Sequence, residues 1–337
     1  MKLIIQIPCL NEEQTLPVTL AELPKHIDGI DEIETLVIDD GSSDGTVAVA
    51  RKLGVNHIIR LTNRKGLAEA FMTGLDASLK LGADIIVNTD GDNQYRGSDV
   101  PRLILPILDG KADMVVGDRQ VERIAHFSPL KKKLQKLGSW VVRHISGTTV
   151  PDVTSGFRAY TREAALRLNV ISKFTYTLET IIQAGKKNIA LGHVKVATNG
   201  KLRESRLFSS IPSYLKRSIG TILRIYTMYE PLRTFVTIGA FIFFAGFLIS
   251  LRFLYFYFFA DHAGHIQSLI LSAVLMIVGF QVGMIGLVAD LITGNRRLIE
   301  DCLYRIKKVE MDTLSIRNHR NGLAEKTAAG ETIEDAN

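Results

Sequence analysis

Short apolar runs alternate with stretches of helical period in the first part of the chain, and in the last third apolar residues continue almost unbroken. Residues 2–7 form an apolar run closed by Pro8, which predicts a strand. Residues 14–23 have helical spacing, with Asn11 as a plausible cap. Further strands are predicted over 35–38, 56–61, 85–87 and 114–116, and further helices over 46–53, 67–81 and 99–108. Strands that alternate with helices predict an α/β domain with a mostly parallel sheet and helices on both faces. In such a sheet, ligands bind at the carboxyl ends of the strands. Asp39, Asp40, Asp90, Asp92 and Arg119 all fall at predicted strand ends, so one shared site is expected.

The two long apolar stretches, 235–259 and 266–292, each have about the ~20 residues needed to cross a hydrocarbon core. Arg252 lies within the first and precedes an aromatic run, Phe253 to Phe259, of the kind found at membrane interfaces. The connection 261–265 carries no Lys or Arg, whereas Arg224 and Arg233 come before the pair and Arg296, Arg297, Arg305, Lys307 and Lys308 after it. This asymmetry predicts a multi-pass protein of the inner cell membrane, with both termini and the soluble domain cytoplasmic. His262 and His265 would then face outside. No basic leader with a cleavage site precedes the first strand, so no signal peptide is expected. Residues 211–228 read as an amphipathic helix in the membrane interface, or alternatively as a surface helix. The polar end from about Asn318 reads as disordered. The expected divisions are 1–207, 208–231, 232–293 and 294–337.

The net charge is +6 and is unevenly spread. Lys131, Lys132, Lys133, Lys136 and Arg143 form one basic stretch, and Lys201, Arg203, Arg206, Lys216, Arg217 and Arg224 another. Basic segments beside membrane spans favour anionic headgroups or an anionic lipid substrate. No zinc-finger spacing or aromatic-interleaved RNA motif accompanies them, so no nucleic-acid partner is expected. Cys9 and Cys302 lie far apart and define neither a disulfide framework nor a metal site.

Asp90-Gly91-Asp92-Asn93-Gln94 directly follows a buried-strand pattern. Two carboxylates on one turn offer hard oxygen ligands, which suit Mg²⁺ or Mn²⁺ with positions left for phosphate oxygens. Asp39-Asp40-Gly41-Ser42 ends an earlier strand, where a carboxylate can accept hydrogen bonds from a base or ribose; a plain capping turn is the alternative.

The ordered set Ile7-Pro8-Cys9-Leu10-Asn11-Glu12-Glu13, Val37-Ile38-Asp39-Asp40-Gly41-Ser42-Ser43-Asp44-Gly45-Thr46 and Asp90 to Gln94 resembles a family 2 glycosyltransferase with the GT-A fold, a Rossmann-like α/β catalytic domain. Gly117-Asp118-Arg119 and Thr154-Ser155-Gly156-Phe157-Arg158-Ala159-Tyr160 resemble the polyisoprenyl-phosphate branch, similar to dolichol-phosphate mannose synthases. Two C-terminal apolar helices resemble the bacterial undecaprenyl-phosphate members.

The resemblance implies that Pro8, Leu10, Glu12 and Asp39 hold the nucleoside, that Asp90, Asp92 and Gln94 form the metal–diphosphate site, and that Asp92 and Arg119 are catalytic. It places Ser155 and Arg158 on the sugar and acceptor side. Lys131, Lys132 and Lys133 are candidates for the acceptor phosphate, as are Arg203 and Arg206 by position; attachment to the leaflet is the alternative for the last two. It also implies a nucleotide-sugar donor, leaning to a UDP-linked one, a polyprenyl phosphate acceptor and a homotetramer. The run Asn63-Arg64-Lys65-Gly66 lacks one glycine of the usual pattern.

The chemistry fits without the family. A leaving diphosphate needs cations, which a bound metal and Arg119 would supply. A phosphate monoester is already largely dianionic at neutral pH, so it needs no general base, and in-line displacement inverts the anomeric carbon. Glu179 would serve as base only for an alcohol acceptor on a lipid, and otherwise reads as a helix-surface carboxylate. A processive polysaccharide synthase is disfavoured by the absence of a Gln/Arg-x-x-Arg-Trp motif. A nucleotide-binding scaffold without turnover is disfavoured by the presence of both Asp90 and Asp92. Trp140, the sole tryptophan, reads as packing.

Overall fold

The computed structural model describes residues 1–120, 129–171, 175–200, 219–220, 223–224, 226–259 and 266–328. Residues 1–222 and 303–337 form one compact unit, and 223–302 a second.

The first unit is built on a seven-stranded sheet of order β3-β2-β1-β4-β6-β5-β7. Its strands are β1 Lys2–Cys9, β2 Glu32–Asp39, β3 His57–Arg60, β4 Ile85–Asn88, β5 Met114–Asp118, β6 Arg158–Thr161 and β7 Leu191–Lys195. β1 pairs in parallel with β2 from Lys2↔Glu32 to Cys9↔Asp39, and with β4 from Leu3↔Ile85 to Gln6↔Asn88. β6 is antiparallel to both β4 and β5, so it departs from the alternating pattern while leaving β5 parallel to β4. β1 is buried from Leu3 to Cys9, as expected of a parallel strand covered on both faces.

Side chains alternate across the sheet. Leu3, Ile5 and Ile7 join one core with Leu16 of α1 (Leu16–Ala21) and with Val100, Leu103 and Ile104 of α4 (Val100–Leu108). On the opposite face, Gly74 of α3 (Leu67–Lys80) sits against Gln6 and Ile38; an added Cβ would meet the Ile38 Cδ1 atom at 2.8 Å. Further α-helices of this unit, among the described residues, are α2 Thr46–Lys52, α5 Pro129–Ser146, α6 Arg162–Arg167 and α7 Thr177–Lys186. Asn11 is not the cap of α1. That position belongs to Thr15, while Asn11 takes a left-handed φ of 56° and its Oδ1 accepts from the Ser43 amide at 2.8 Å.

The second unit holds α8, Pro231–Phe259, and the first part of α9, Ile266–Ala328. Both helices are long and apolar enough to cross a membrane. They are not core helices of the soluble kind, because their outer faces are bare: Phe241 and Phe259 are each 79% exposed. Between them runs a seam of small residues. An added Cβ at Gly279 would lie 2.6 Å from the Phe243 amide nitrogen, and Ser272 Oγ donates to the Gly246 carbonyl at 2.8 Å. Such seams let backbones approach where no hydrophobic drive separates helix from lipid. Residues 260–265, including His262 and His265, lie outside the described residues, as does nearly all of the predicted interfacial helix before Tyr226.

From Leu303 onward α9 belongs to the first unit. Tyr304 donates to Glu163 of α6 at 2.9 Å, Lys80 of α3 pairs with Glu310 at 3.5 Å, and Met311 is buried. The polar end expected to be disordered from about Asn318 continues as helix to Ala328.

Gly279→Leu is expected to lower the thermal stability of the detergent-solubilised protein by about 1–3 kcal/mol. Circular dichroism melts check this; a parental melting temperature would count against the seam.

Candidate active site

The parallel register puts the ends of β1, β2, β4 and β5 along one edge of the sheet. Of the predicted site residues, Pro8 lies in the last two residues of β1, Asp39 ends β2, and Leu10, Glu12, Asp90, Asp92, Gln94 and Arg119 follow these strands.

On the β1–β2 side, Pro8 lies within the sheet opposite Ile38. Leu10 is half-buried. Glu12 is 5% exposed, and its carboxylate accepts from Thr15 Oγ1 at 2.6 Å. Asp39 is wholly buried. Its Oδ1 accepts from the Ser42 amide at 3.0 Å. Its Oδ2 makes no hydrogen bond; Arg60 Nε, 3.4 Å away, is in ionic contact only. Asp40 is spent on structure: it accepts from the amides of Lys65 at 2.7 Å and Gly66 at 3.0 Å. The run Asn63 to Gly66 is thus held by a carboxylate despite its missing glycine. Gly41, at φ 75°, allows the approach, since an added Cβ would meet the Arg64 amide nitrogen at 2.9 Å.

The acid loop follows β4. Asp92 Oδ1 accepts from the Gln94 amide at 3.2 Å, and the Gln94 carbonyl accepts from Asn199 at 3.0 Å. Glu22, just after α1, ties the far side of the loop, accepting from Asn93 at 3.1 Å and from Asn199 at 2.9 Å. Burial opposes its charge, but these donors hold its carboxyl below the usual range. Asp90 faces Gly156: an added Cβ there would stand 3.1 Å from both Asp90 oxygens and 2.9 Å from the Tyr176 hydroxyl.

A buried polar lock lies beneath. Gln6 donates to Asn88 Oδ1 at 2.8 Å, and Asn88 donates to the Gly156 carbonyl at 2.8 Å and to the Tyr176 hydroxyl at 2.9 Å. The Tyr176 ring stacks on Phe71, 3.9 Å between centroids. The Gly156 amide donates to the Tyr95 hydroxyl at 2.8 Å. Burial pushes Tyr95 up to about 12; Arg119 opposes this and Asp90 adds to it. Burial first, then Glu12, Asp39 and Asp90, likewise pushes the Cys9 thiol well up. Carboxylates near this edge thus add to the effect of burial on both groups.

Arg119 is 8% exposed. Its Nε and Nη2 grip Asp152 at 2.7 and 3.0 Å, and Nη2 also donates to Thr154 Oγ1 at 2.7 Å. Burial disfavours both charges, yet their attraction raises Arg119 and holds the Asp152 carboxyl below the usual range. In this structure Arg119 ties the end of β5 to the 152–154 loop, beside Tyr95 at 6.0 Å.

Arg158, expected on the sugar and acceptor side, is wholly buried, donating to the carbonyls of Ser155 at 2.7 Å, Val153 at 2.9 Å and Thr177 at 2.9 Å, and to Thr180 Oγ1. It pins the 153–155 loop to α7. Ser155 is wholly buried with it. Glu179 is no helix-surface carboxylate either; it is buried and accepts from the Ile171 amide at 3.1 Å and Gln183 at 3.2 Å. Trp140, expected in packing, is 56% exposed. The backbones of Lys131, Lys132 and Lys133 lie in α5, but their side chains fall outside the described residues, as do Arg203 and Arg206 entirely.

Sequence reasoning missed Asn88, Tyr95, Asp152 and Tyr176. Asp152 had a signal, because an arginine at a strand end is often paired with a carboxylate when buried and one lies just before the Thr154–Tyr160 motif. Asn88 had a weaker one, as a polar residue ending an apolar run.

Comparison with known proteins agrees with this geometry. The profile of Glycosyl transferase family 2 matches residues 4–168. An undecaprenyl-phosphate mannosyltransferase of Micrococcus luteus is 31% identical over 52% of this chain and 74% of its own length. This chain belongs to glycosyltransferase family 2. A UDP-N-acetylglucosamine–dolichyl-phosphate N-acetylglucosaminyltransferase of Methanococcus voltae is 31% identical over 57% of this family member and 83% of its own length. Among solved structures, glucosyl-3-phosphoglycerate synthase from Mycobacterium tuberculosis, in complex with Mn²⁺, UDP and phosphoglyceric acid, aligns with a TM-score of 0.54 at 21% identity, covering 67% of this chain and 78% of that one. The shared fold is GT-A.

Two outcomes are expected. Gly156→Ala should retain the fold yet lower turnover by on the order of 10²-fold, because the new methyl displaces Asp90; kinetics beside a thermal melt separate the two. Asp152→Asn leaves Arg119 buried and unpaired, at a cost of about 3–5 kcal/mol. The native Asp152 carboxyl sits below its unfolded value, so the pair's contribution is present above about pH 4 and is lost as pH falls through the lowered native value. Urea midpoints measured from neutral to acid pH should fall less steeply below about pH 4 in the Asn variant than in the parent.

Proposed function

We propose that this glycosyltransferase transfers a sugar from a nucleotide-sugar donor to a membrane polyprenyl phosphate, with inversion, giving a polyprenyl-phosphate sugar. The observation that carries the reading is the shared sheet edge, where Asp39 offers a buried Oδ2 without a hydrogen bond and Asp90 and Asp92 follow the next strand but one. Asp39 would accept from the base, flanked by Pro8, Leu10 and Glu12. The activities of the Micrococcus and Methanococcus relatives support the polyprenyl-type acceptor. A UDP-linked donor is favoured by the Methanococcus relative.

Among the described residues, no group of three or more His, Cys, Asp or Glu stands ready to hold a metal. Asp90 and Asp92 nevertheless fit Mg²⁺ or Mn²⁺, since such ions take one or two protein carboxylates and complete their shell with water and substrate phosphate. Burial raises Tyr95 and Cys9 and Asp90 adds to the rise of both, a contribution that a cation at this carboxylate would offset. A bound ion would neutralise the leaving diphosphate. The chain's own residues do the positioning: Gln94 and Glu22 set the acid loop, and Asn88 and Tyr95 hold Gly156 against Asp90. Arg119 supplies a fixed positive charge whose orientation Asp152 determines. Acceptor phosphate contacts are assigned to the basic stretch starting at Lys131 and to Arg203 and Arg206. The apolar helices α8 and α9 support placement in a membrane, with termini and catalytic unit on the cytoplasmic side.

A hydroxyl acceptor would need a base, and Glu179 is engaged by Ile171 and Gln183 in the interior. That observation favours the phosphate acceptor.

The test is a transfer assay with full-length protein in detergent, polyprenyl phosphate, Mn²⁺ or Mg²⁺ and a panel of labelled nucleotide sugars. Labelled lipid should require metal and acceptor. Asp92→Ala should lose at least about 10²-fold in turnover with an unchanged melt, in the range seen when charge stabilisation of a transition state is removed. Parental turnover by folded Asp92→Ala would refute the assignment.

A further inference from the structure

We propose that the stretch of α9 beyond its apolar part pairs with the same stretch of a second copy of this chain, as a parallel coiled coil. α9 is one helix from Ile266 to Ala328. From Ile299 onward its sequence follows the heptad pattern of such coils. Ile299, Ile306 and Thr313 fall at a positions, and Cys302, Val309 and Ile316 at d positions. Ile299, Ile306 and Val309 are 67%, 64% and 65% exposed, and Cys302 is exposed with them. The opposite side of the helix is taken. Tyr304 donates to Glu163 at 2.9 Å, and Met311 is buried. Both lie at f, the position farthest from the a and d stripe. Docking of α9 on the first unit thus holds the stripe outward.

Acyl chains do not cover this stripe. Val309 stands about 18 Å along the helix beyond Arg297, among Arg305, Lys308, Glu310 and Asp312. The charges beside the stripe match another copy of the same helix. In a parallel pair, each g residue of one strand meets the next e residue of the other. Arg305 at g then meets Glu310 of the second copy, and Asp312 at g meets its Arg317. Both pairs are of opposite sign, and all four residues are exposed. The g and e residues just before them, Leu298 and Leu303, meet as apolar neighbours. Glu310 also reaches Lys80 of its own chain at 3.5 Å, and a carboxylate has acceptor sites for two cations. Both α8 and α9 are long and apolar enough to cross a membrane. Copies held in one bilayer with one topology present this stripe in parallel and at the same height, which is the register the charges match. This inference goes beyond sugar transfer and does not rest on it.

Cys302 is a native probe of the stripe, because Cys9, the other cysteine, is buried. Full-length protein in its membrane would be oxidised with copper phenanthroline, and the disulfide-linked dimer read on non-reducing gels. The dimer should form through Cys302 and vanish in Cys302→Ser. In that background Val309→Cys, at d, should restore it. Lys308→Cys, at c, should give at least about tenfold less, because a disulfide needs Cβ atoms that face each other. Arg305→Glu should lower the yield from Cys302 by about threefold, within the range of an exposed ion pair, and adding Glu310→Arg should recover it. That recovery tests pairing between copies, since Glu310→Arg sets two cations together at Lys80. No dimer from either Cys302 or Val309→Cys would overturn the proposal and would mean that something other than a second copy covers the stripe. Equal yields from positions 308 and 309 would also overturn it, as would indifference to Arg305→Glu. No turnover enters the readout, so its failure and that of the transferase reading are separate results.

Discussion

Asn88 is the last residue of β4, wholly buried, and its amide joins three parts of the molecule that are distant in sequence: Gln6 of β1, the carbonyl of Gly156 and the hydroxyl of Tyr176. The acid loop begins two residues later. A buried amide is costly unless its groups are paired, so the arrangement that satisfies Asn88 also fixes how far Gly156 stands from Asp90. Tyr95 closes the same loop from the opposite side by accepting from the Gly156 amide. The distance of Asp90 from Gly156 is thus set by uncharged groups beneath it.

Charge enters the frame in matched buried form. Arg119 with Asp152, and Arg158 with a set of carbonyls, secure the ends of the 152–158 segment. The two arginines differ in kind. Arg119 keeps a carboxylate partner at the sheet edge near Tyr95 and Asp90, so its charge is felt by the site. Arg158 is enclosed by backbone oxygens and the Thr180 hydroxyl and pins the segment to α7. A motif that names both residues equally conceals that division.

The parallel strands β1, β2, β4 and β5 were legible in the sequence because strands buried on both faces read as apolar runs, and their carboxyl ends therefore located Asp39, Asp90 and Arg119 on one edge. β6 was not legible: Arg158–Thr161 is short, begins with a charged residue, and pairs antiparallel through contacts far along the chain. Arg158 was misread for the same reason, since a local pattern does not tell which arginine will find carbonyls in the interior. Glu179 shows the complementary failure. A carboxylate in a helix reads as surface until the fold supplies Ile171 and Gln183 as partners. The docking of α9 on the first unit escaped composition because Tyr304 and Glu310 find their partners, Glu163 and Lys80, more than a hundred positions earlier.

The first unit is discontinuous: it takes residues 1–222 and resumes at 303. Tyr304, Glu310 and Met311 complete its surface against α3 and α6, yet a ribosome delivers them only after the whole apolar hairpin. At usual elongation rates that delay is on the order of ten seconds. The nascent catalytic unit must wait through it with the seats of these side chains open, while the hairpin is handed to the insertion machinery. The segment from Leu303 is thus the last part of the catalytic unit to be made, and this unit can close only after the apolar hairpin has been synthesised.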